Sequence, residues 1–275
     1  RTAKSIKVTR DLLSNAARYE VMLVKMLRTI PTESERLQLV SEQNVLGMTL
    51  LHWAALSGNI ESLKAILAIY PESERLKVVS GEYAHGLTIL HSAAESGNPE
   101  SIRLVLSLYP ETEHFSAVNM SDGRGWTVLH CAARSGNPES IRLILNVYPE
   151  TERLHVVRMQ DKNDGTILHC AAQSGNFESI QTILDLYPES ERVQALDRPN
   201  QYGETVLNLV ANDFNIECIK AILSLYPESE RLEALNYYDE EERTPLDYMS
   251  ETTRDSILAW VSQQSECQHN TTPNF

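Results

Sequence analysis

The chain has 275 residues, 42% of them hydrophobic, and a formal net charge of −14. That acidity argues against binding nucleic acid or an anionic membrane, either of which needs a cationic face; only Arg1, Lys4, Lys7 and Arg10 hint at a basic stripe. The apolar runs, about ten residues or fewer, are too short to span a bilayer, and the amino end lacks the basic-then-apolar form of a signal peptide.

Taken in chain order, the first predicted element is an amphipathic helix over Ala17 to Ile30, followed by Glu33-Ser34-Glu35-Arg36-Leu37. The chain opens at Arg1 and not at Met, which leaves room for an upstream leader or domain. A tetrad then returns with a fixed step of thirty-nine residues: Thr49-Leu50-Leu51-His52, Thr88-Ile89-Leu90-His91, Thr127-Val128-Leu129-His130 and Thr166-Ile167-Leu168-His169. It decays to Thr205-Val206-Leu207-Asn208 and Thr244-Pro245-Leu246-Asp247. A constant period of this size denotes units that cannot bury their apolar faces alone and must stack on neighbours. The expected organisation is one body over 1–262, with an amino-terminal capping unit at 10–43, five repeats at 44–238 and a carboxy-terminal capping unit at 239–262. A polar tail, 263–275, carries too little apolar content to fold by itself.

The second unit shows how each repeat should fold. Thr88 is a natural N-cap for a short first helix, Ala93 and Ala94 allow close helix approach, and Gly97 supplies a left-handed ending. Asn98 caps a second helix that opens with Pro99 and Glu100 and buries Ile102, Val105, Leu106 and Tyr109 along one stripe. The segment Tyr70-Pro71-Glu72-Ser73-Glu74-Arg75-Leu76 has copies at Tyr109, Tyr148, Tyr187 and Tyr226. Its proline and acidic first turn predict a third, short helix starting at Pro71, Pro110, Pro149, Pro188 and Pro227.

A turn glycine, Thr-x-Leu-His, Ala-Ala, a closing glycine and a longer amphipathic helix together resemble the ankyrin repeat, over roughly residues 44–262. The resemblance implies an all-α ankyrin-repeat solenoid, here with a short third helix in each repeat. It also implies that His52, His91, His130 and His169 hydrogen-bond near the helix start and support the adjacent hairpin. Some residues depart from the family pattern. Proline is missing after threonine except at Pro245, and Gly165 sits directly before Thr166 with Asp164 in the usual glycine place, so the fourth hairpin tip is expected to differ in shape. The fifth unit, with Asn208 and Asp213-Phe214-Asn215, is expected to have a weaker helix end. The Tyr-Pro-Glu-Ser-Glu-Arg element and the near-identical units are also similar to ankyrin-repeat effectors of intracellular bacteria.

No catalytic, cofactor or metal site is expected. The repeated histidines occur once per unit, never at the spacing that gathers ligands on one helix. Cys131 and Cys170 hold equivalent places, so stacking should keep them about 8 to 10 Å apart, too far for a disulfide, and they read as small packing residues in a reduced, cytoplasmic setting. The paired carboxylates recur in every unit, as scaffold does, and Arg75 beside Glu72 reads as a solvated helix pair.

The positions that vary between repeats carry the functional expectation. By resemblance these are hairpin tips and exposed first-helix positions of one concave face: Met48, Leu56, His85, Leu87, Glu95, Arg124, Trp126, Arg134, Asn163, Gln173, Tyr202, Glu204 and Asn212, with Leu46, Glu241 and Arg243 in the same rows. Arg124, Trp126 and Arg134 cluster at the middle repeat, and aromatic and arginine side chains are favoured interface anchors. The expected function is non-catalytic binding of a protein partner by a monomeric module. If it is an effector, the partner is a host protein and the site of action is the host cytoplasm. The alternatives are the targeting or adaptor region of a larger enzyme or ubiquitin-ligase assembly, and a structural spacer.

Overall fold

The structure, a computed structural model, describes residues 26–45, 47–212 and 215–269. The expectations for residues 1–25, Leu46, Asp213, Phe214 and 270–275 lie outside these. Two compact units divide the chain, one ending at Tyr148 and the other starting at Pro149. Among the described residues the regular elements are helical; the only β pairing is two isolated bridges, Ser121 with Thr127 and Gln160 with Thr166.

In the first unit α1 spans Glu33–Ser41, and the repeats follow as α2 (Leu50–Leu56), α3 (Ile60–Leu67) and α4 (Glu72–Ser80), then α5 (Ile89–Glu95), α6 (Pro99–Leu106) and α7 (Glu111–Asn119), then α8 (Val128–Arg134) and α9 (Pro138–Leu145). The second unit opens with α10 (Glu150–Val157) and continues as α11 (Ile167–Ala172), α12 (Phe177–Leu184) and α13 (Arg192–Asp197), then α14 (Val206–Ala211), α15 (Ile216–Leu223) and α16 (Arg231–Leu235). It ends with α17 (Pro245–Tyr248) and α18 (Glu251–His269). The last helix therefore runs past residue 262, where the capping unit was expected to end, and its buried Ile257 and Val261 hold it to the body.

The first helices begin with one reciprocal cap. The threonine side chain meets the backbone amide three residues on, and the side chain found there accepts from the threonine amide. Gly58 and Gly97, at φ 67° and 70°, stop α2 and α5 in the left-handed region. Asn98 then caps α6 by accepting from the Glu100 amide, and its Nδ2 donates 2.7 Å to the Gly58 carbonyl of the preceding repeat. Cap and stacking contact are thus the same side chain. The first helices pack side by side through fully buried Ala93, Ala94, Ala132 and Ala133, and the second helices bury Ile102, Val105, Ile141 and Ile144. Removing such surface from water at about 25 cal/mol per Å² is the main stabilising term.

The third helix is present in each repeat, with the proline as its N-cap. In the fourth and fifth repeats the segment opens as a 3-10 turn, Glu189–Glu191 and Glu228–Glu230, before α13 and α16. Tyrosine hydroxyls pin these helices to the next repeat: Tyr70 donates to the Val40 carbonyl at 2.9 Å, Tyr109 to Val79 at 2.8 Å and Tyr187 to Val157 at 3.3 Å. Tyr226 reaches the Asp197 carboxylate instead, at 2.7 Å. The expected Arg75 pair with Glu72 is not what Arg75 makes. Its Nε donates to the carbonyls of Leu67 and Tyr70 at 3.0 and 3.2 Å, closing the end of α3, and Arg231 does the same for α15. Helix-end carbonyls lack intrahelical donors, so a half-buried guanidinium gains more there than beside a solvated carboxylate.

The fourth hairpin tip keeps the common backbone shape, contrary to expectation. Asp164, at φ 59°, takes the left-handed place that Gly47, Gly86, Gly125 and Gly203 hold elsewhere, an accommodation open to aspartate. The tip that differs is the second, where His85 is also left-handed (φ 65°) inside a 3-10 turn over Ala84–Gly86.

Candidate functional site

Apart from the second, the hairpin tips are each built on one side chain that the sequence pattern did not single out. Asp122 Oδ1 accepts from the Arg124 and Trp126 amides at 2.8 and 3.0 Å; Asp161, Asn200 and Asp239 repeat this at the same places. Asn44 accepts from the Met48 amide. Aspartate or asparagine followed by the turn glycine three residues later was the available signal. Tyr83 stands in this row in the second repeat, its ring edge-on to His52 at 4.3 Å, which is why that tip departs from the others. Neighbouring tips join through backbone: the Gly123 amide to the His85 carbonyl in the first unit, and Gln201 to Asn163 at 2.8 Å and Glu240 to Tyr202 at 3.0 Å in the second.

The repeated histidines sit behind the tips. Their Nδ1 atoms accept from the threonine amides of the reciprocal cap, and His91 Nε2 lies 3.1 Å from both the Met120 and Trp126 carbonyls, while His169 Nε2 lies 3.2 Å from the Glu204 carbonyl. One imidazole thereby ties a helix start to the following hairpin. Burial holds His52 down at about 4 from an ordinary 6.5, with a backbone interaction from Leu87 opposing it. Burial likewise lowers His91 and His169, so these rings are neutral acceptors near neutral pH. Asn208 and Asp247, where the tetrad decays, still accept from Thr205 and Thr244, at 3.1 and 2.8 Å. Those bonds hold Asp247 below its ordinary pKa.

Four of the variable residues meet in the first unit. The Arg124 guanidinium lies over the Trp126 ring at 4.0 Å and pairs with buried Asp122 at 2.8 Å. Burial alone would lower the Arg124 pKa, but the Asp122 hydrogen bond and charge outweigh it and raise it. Arg134 covers the same ring at 5.3 Å and pairs with Glu95 at 3.2 Å. Trp126, expected as an exposed anchor, is 7% exposed and also stacks on His130. The outward groups here are therefore the two guanidiniums, with side chains 48% and 42% exposed. His85 is exposed at the adjoining tip, whereas Met48, Leu56 and Leu87 are half-buried. In the second unit Asn163, Gln173, Tyr202 and Asn212 are exposed, and half-buried Glu204 accepts from Asn200 Nδ2 at 2.9 Å.

Among the described residues no group of three or more histidines, cysteines, aspartates and glutamates could hold a metal ion, and no helix is long and apolar enough to cross a membrane. Cys131, Cys170 and Cys218 are buried, and none of them is in a disulfide among the described residues. An open recess of about 480 Å³ in the second unit is lined by Arg158, Tyr187 and Arg198 among others, but Arg158 pairs with Glu191 and Arg198 donates to Gln160.

Tandem helical units, each with a hairpin tip and a short helix presented for contact, define a class of repeat scaffolds that works through surfaces and not through an enclosed pocket. A family model described as "Ankyrin repeats (3 copies)" matches residues 13–116 and 108–194, and the chain belongs to the ankyrin-repeat family. No curated protein sequence matches it. Among solved structures it is similar to the crystal structure of the human ASB11 ankyrin repeat domain, with TM-score 0.54 and 18% identity over 90% of this chain and 96% of that one. At that identity the likeness concerns the fold. Ankyrin repeats are generally protein–protein interaction modules, and the fold is typically a non-catalytic binding scaffold.

Proposed function

We propose that the chain binds a protein partner on the concave face formed by hairpin tips and first-helix ends, with Arg124 and Arg134 as its anchors. The observation that carries this is the pair of exposed guanidiniums laid against the nearly buried Trp126 ring. Both cations are held before any partner arrives, so little side-chain ordering is left for binding to overcome. Met48, Leu56, His85, Leu87 and Glu95 extend the surface in the first unit, and Asn163, Gln173, Tyr202, Glu204 and Asn212 supply the same rows in the second. We place it as a monomer in a reduced, cytoplasmic setting, the latter in keeping with buried cysteines that form no disulfide among the described residues.

A role as a bacterial effector acting on a host protein rests on the recurring Tyr-Pro-Glu-Ser-Glu-Arg element. That element also has a mechanical cause, because its tyrosine pins a third helix and its arginine closes a second one. The test of the binding proposal is capture from cell lysate on immobilised chain, compared with Arg124→Ala/Arg134→Ala. Loss of at least about tenfold of a captured protein in the double variant, with retention by Arg142→Ala, is expected. Equal capture by the double variant would overturn the reading.

A further inference from the structure

Among the described residues six large hydrophobic side chains are exposed, and three of them, Tyr202 (52%), Tyr237 (40%) and Tyr238 (65%), stand at one edge of the second unit. The backbone brings the Tyr202 tip against the segment that carries Tyr237 and Tyr238. The Glu240 amide donates 3.0 Å to the Tyr202 carbonyl, and a Cβ on Gly203 would lie 2.7 Å from the Glu240 nitrogen, so the fifth hairpin tip rests directly on the segment that follows Tyr238. Nothing in the repeat fold calls for an aromatic residue at 238: the equivalent places hold Gln43, Glu82, Ser121, Gln160 and Pro199, each exposed. Exposing these rings to water brings the fold no benefit, which marks the edge as a contact surface.

Local charge fixes the chemistry of what it contacts. After Tyr238 come Asp239, Glu240, Glu241 and Glu242. Asp239 is turned inward and committed to the hairpin amides and to the Tyr248 hydroxyl, leaving three exposed glutamates. The adjoining cation, Arg243, is held over the Tyr248 ring at 4.7 Å and paired with Asp239 and Glu241. We propose that this edge receives a cationic, arginine-bearing peptide segment of a partner protein. A guanidinium can stack on a tyrosine face while donating to a carboxylate, and each interaction strengthens as the other excludes water. The surface lies in the other unit from the Arg124 and Arg134 pair and has the opposite sign of charge.

Calorimetric titration of the 275-residue chain with nona-arginine tests this. Tyr202→Ser/Tyr238→Ser is expected to weaken binding about tenfold with an unchanged melting temperature, since both side chains are exposed. Glu240→Gln/Glu242→Gln should weaken it comparably, and nona-lysine, which cannot stack a planar cation, should bind the parent less tightly. Glu74→Gln/Glu113→Gln, on third helices of the first unit, removes the same charge and should cost less than about twofold, because screening confines surface attraction to about 8 to 10 Å. Absence of binding to the parent, parent-like binding by the tyrosine variant, or equal losses from the control carboxylates would overturn the proposal, the last showing only attraction to the acidic chain as a whole. Arg124→Ala/Arg134→Ala should leave nona-arginine binding unchanged, which separates this test from that of the first proposal.

Discussion

The Tyr109 hydroxyl donates to the Val79 carbonyl at 2.8 Å, thirty residues upstream, joining the end of α6 to the last turn of the preceding repeat's α4. Both residues are buried, and burial pushes the phenol's pKa up, so it stays a donor. Tyr109→Phe leaves that carbonyl without its donor and should cost about 1 to 3 kcal/mol in urea denaturation. Amide exchange should quicken over Glu72–Ser80 more than over Pro99–Leu106, because the lost bond tethers the third helix. Uniform quickening across both helices would show that the tyrosine contributes packing alone.

The array was legible in the sequence because its parts rely on local chemistry. Threonine caps, closing glycines and the stripe Ile102, Val105, Leu106 and Tyr109 each mean one thing wherever they occur. What stayed hidden were bonds between segments far apart in sequence. No local pattern reveals that Tyr109 reaches Val79 or that Arg75 closes α3. The decayed tetrads looked like weakened units, yet Asn208 and Asp247 keep the one atom the cap requires, an acceptor for the threonine amide. Position rows alone could not separate Trp126 from its exposed neighbours, since its burial is produced by Arg124 and Arg134 folding over it.

Asn208 suggests a substitution at the other caps. The native state keeps His52, His91 and His169 neutral, with His52 at about 4, while an unfolded chain protonates them near 6.5. A depressed histidine pKa gives stability that is complete above the unfolded value and is lost as pH falls through the window down to the folded value. The melting temperature should therefore drop steadily from pH 6.5 toward 4. His91→Asn preserves the bond to the Thr88 amide but lacks the reach to Met120 and Trp126. It should lower stability by about 1 to 2 kcal/mol at pH 7 and reduce the slope of that decline. An unchanged slope would count against a neutral buried His91.

Ser62, Ser101, Ser140 and Ser179 form a row of buried hydroxyls on the second helices, and none of their Oγ atoms has a hydrogen-bond partner. Cys218 fills the same place in the fifth repeat, which indicates that small size is what the packing requires. Ser140→Ala keeps that size and removes a desolvated polar atom, so it should be neutral or raise stability by up to about 1 kcal/mol. Chemical denaturation of the single variant is sufficient. A loss above about 1 kcal/mol would mean that the hydroxyl is bonded in solution.

Trp126 is where structure and partner binding become experimentally separable. Its ring is 7% exposed, stacked on His130 and covered by both arginines, so Trp126→Ala removes core as well as surface and should cost about 3 kcal/mol or more. A lowered melting temperature is therefore expected. Arg134→Ala should cost less than about 1 kcal/mol, since its ion pair with Glu95 is open to solvent, and Arg124→Ala about 1 to 2 kcal/mol, since buried Asp122 keeps its two amide donors but loses its cation. If the guanidiniums are the anchors, the arginine variants lose a captured partner while melting closer to the parent than Trp126→Ala does. At a temperature where Trp126→Ala is still fully folded, it should lose binding only as far as the arginines lose their support. Trp126→Phe, which restores a ring beneath both cations, should recover most of that binding. A Trp126→Phe variant that melts like the parent but binds no better than Trp126→Ala would instead assign the contact to the indole itself.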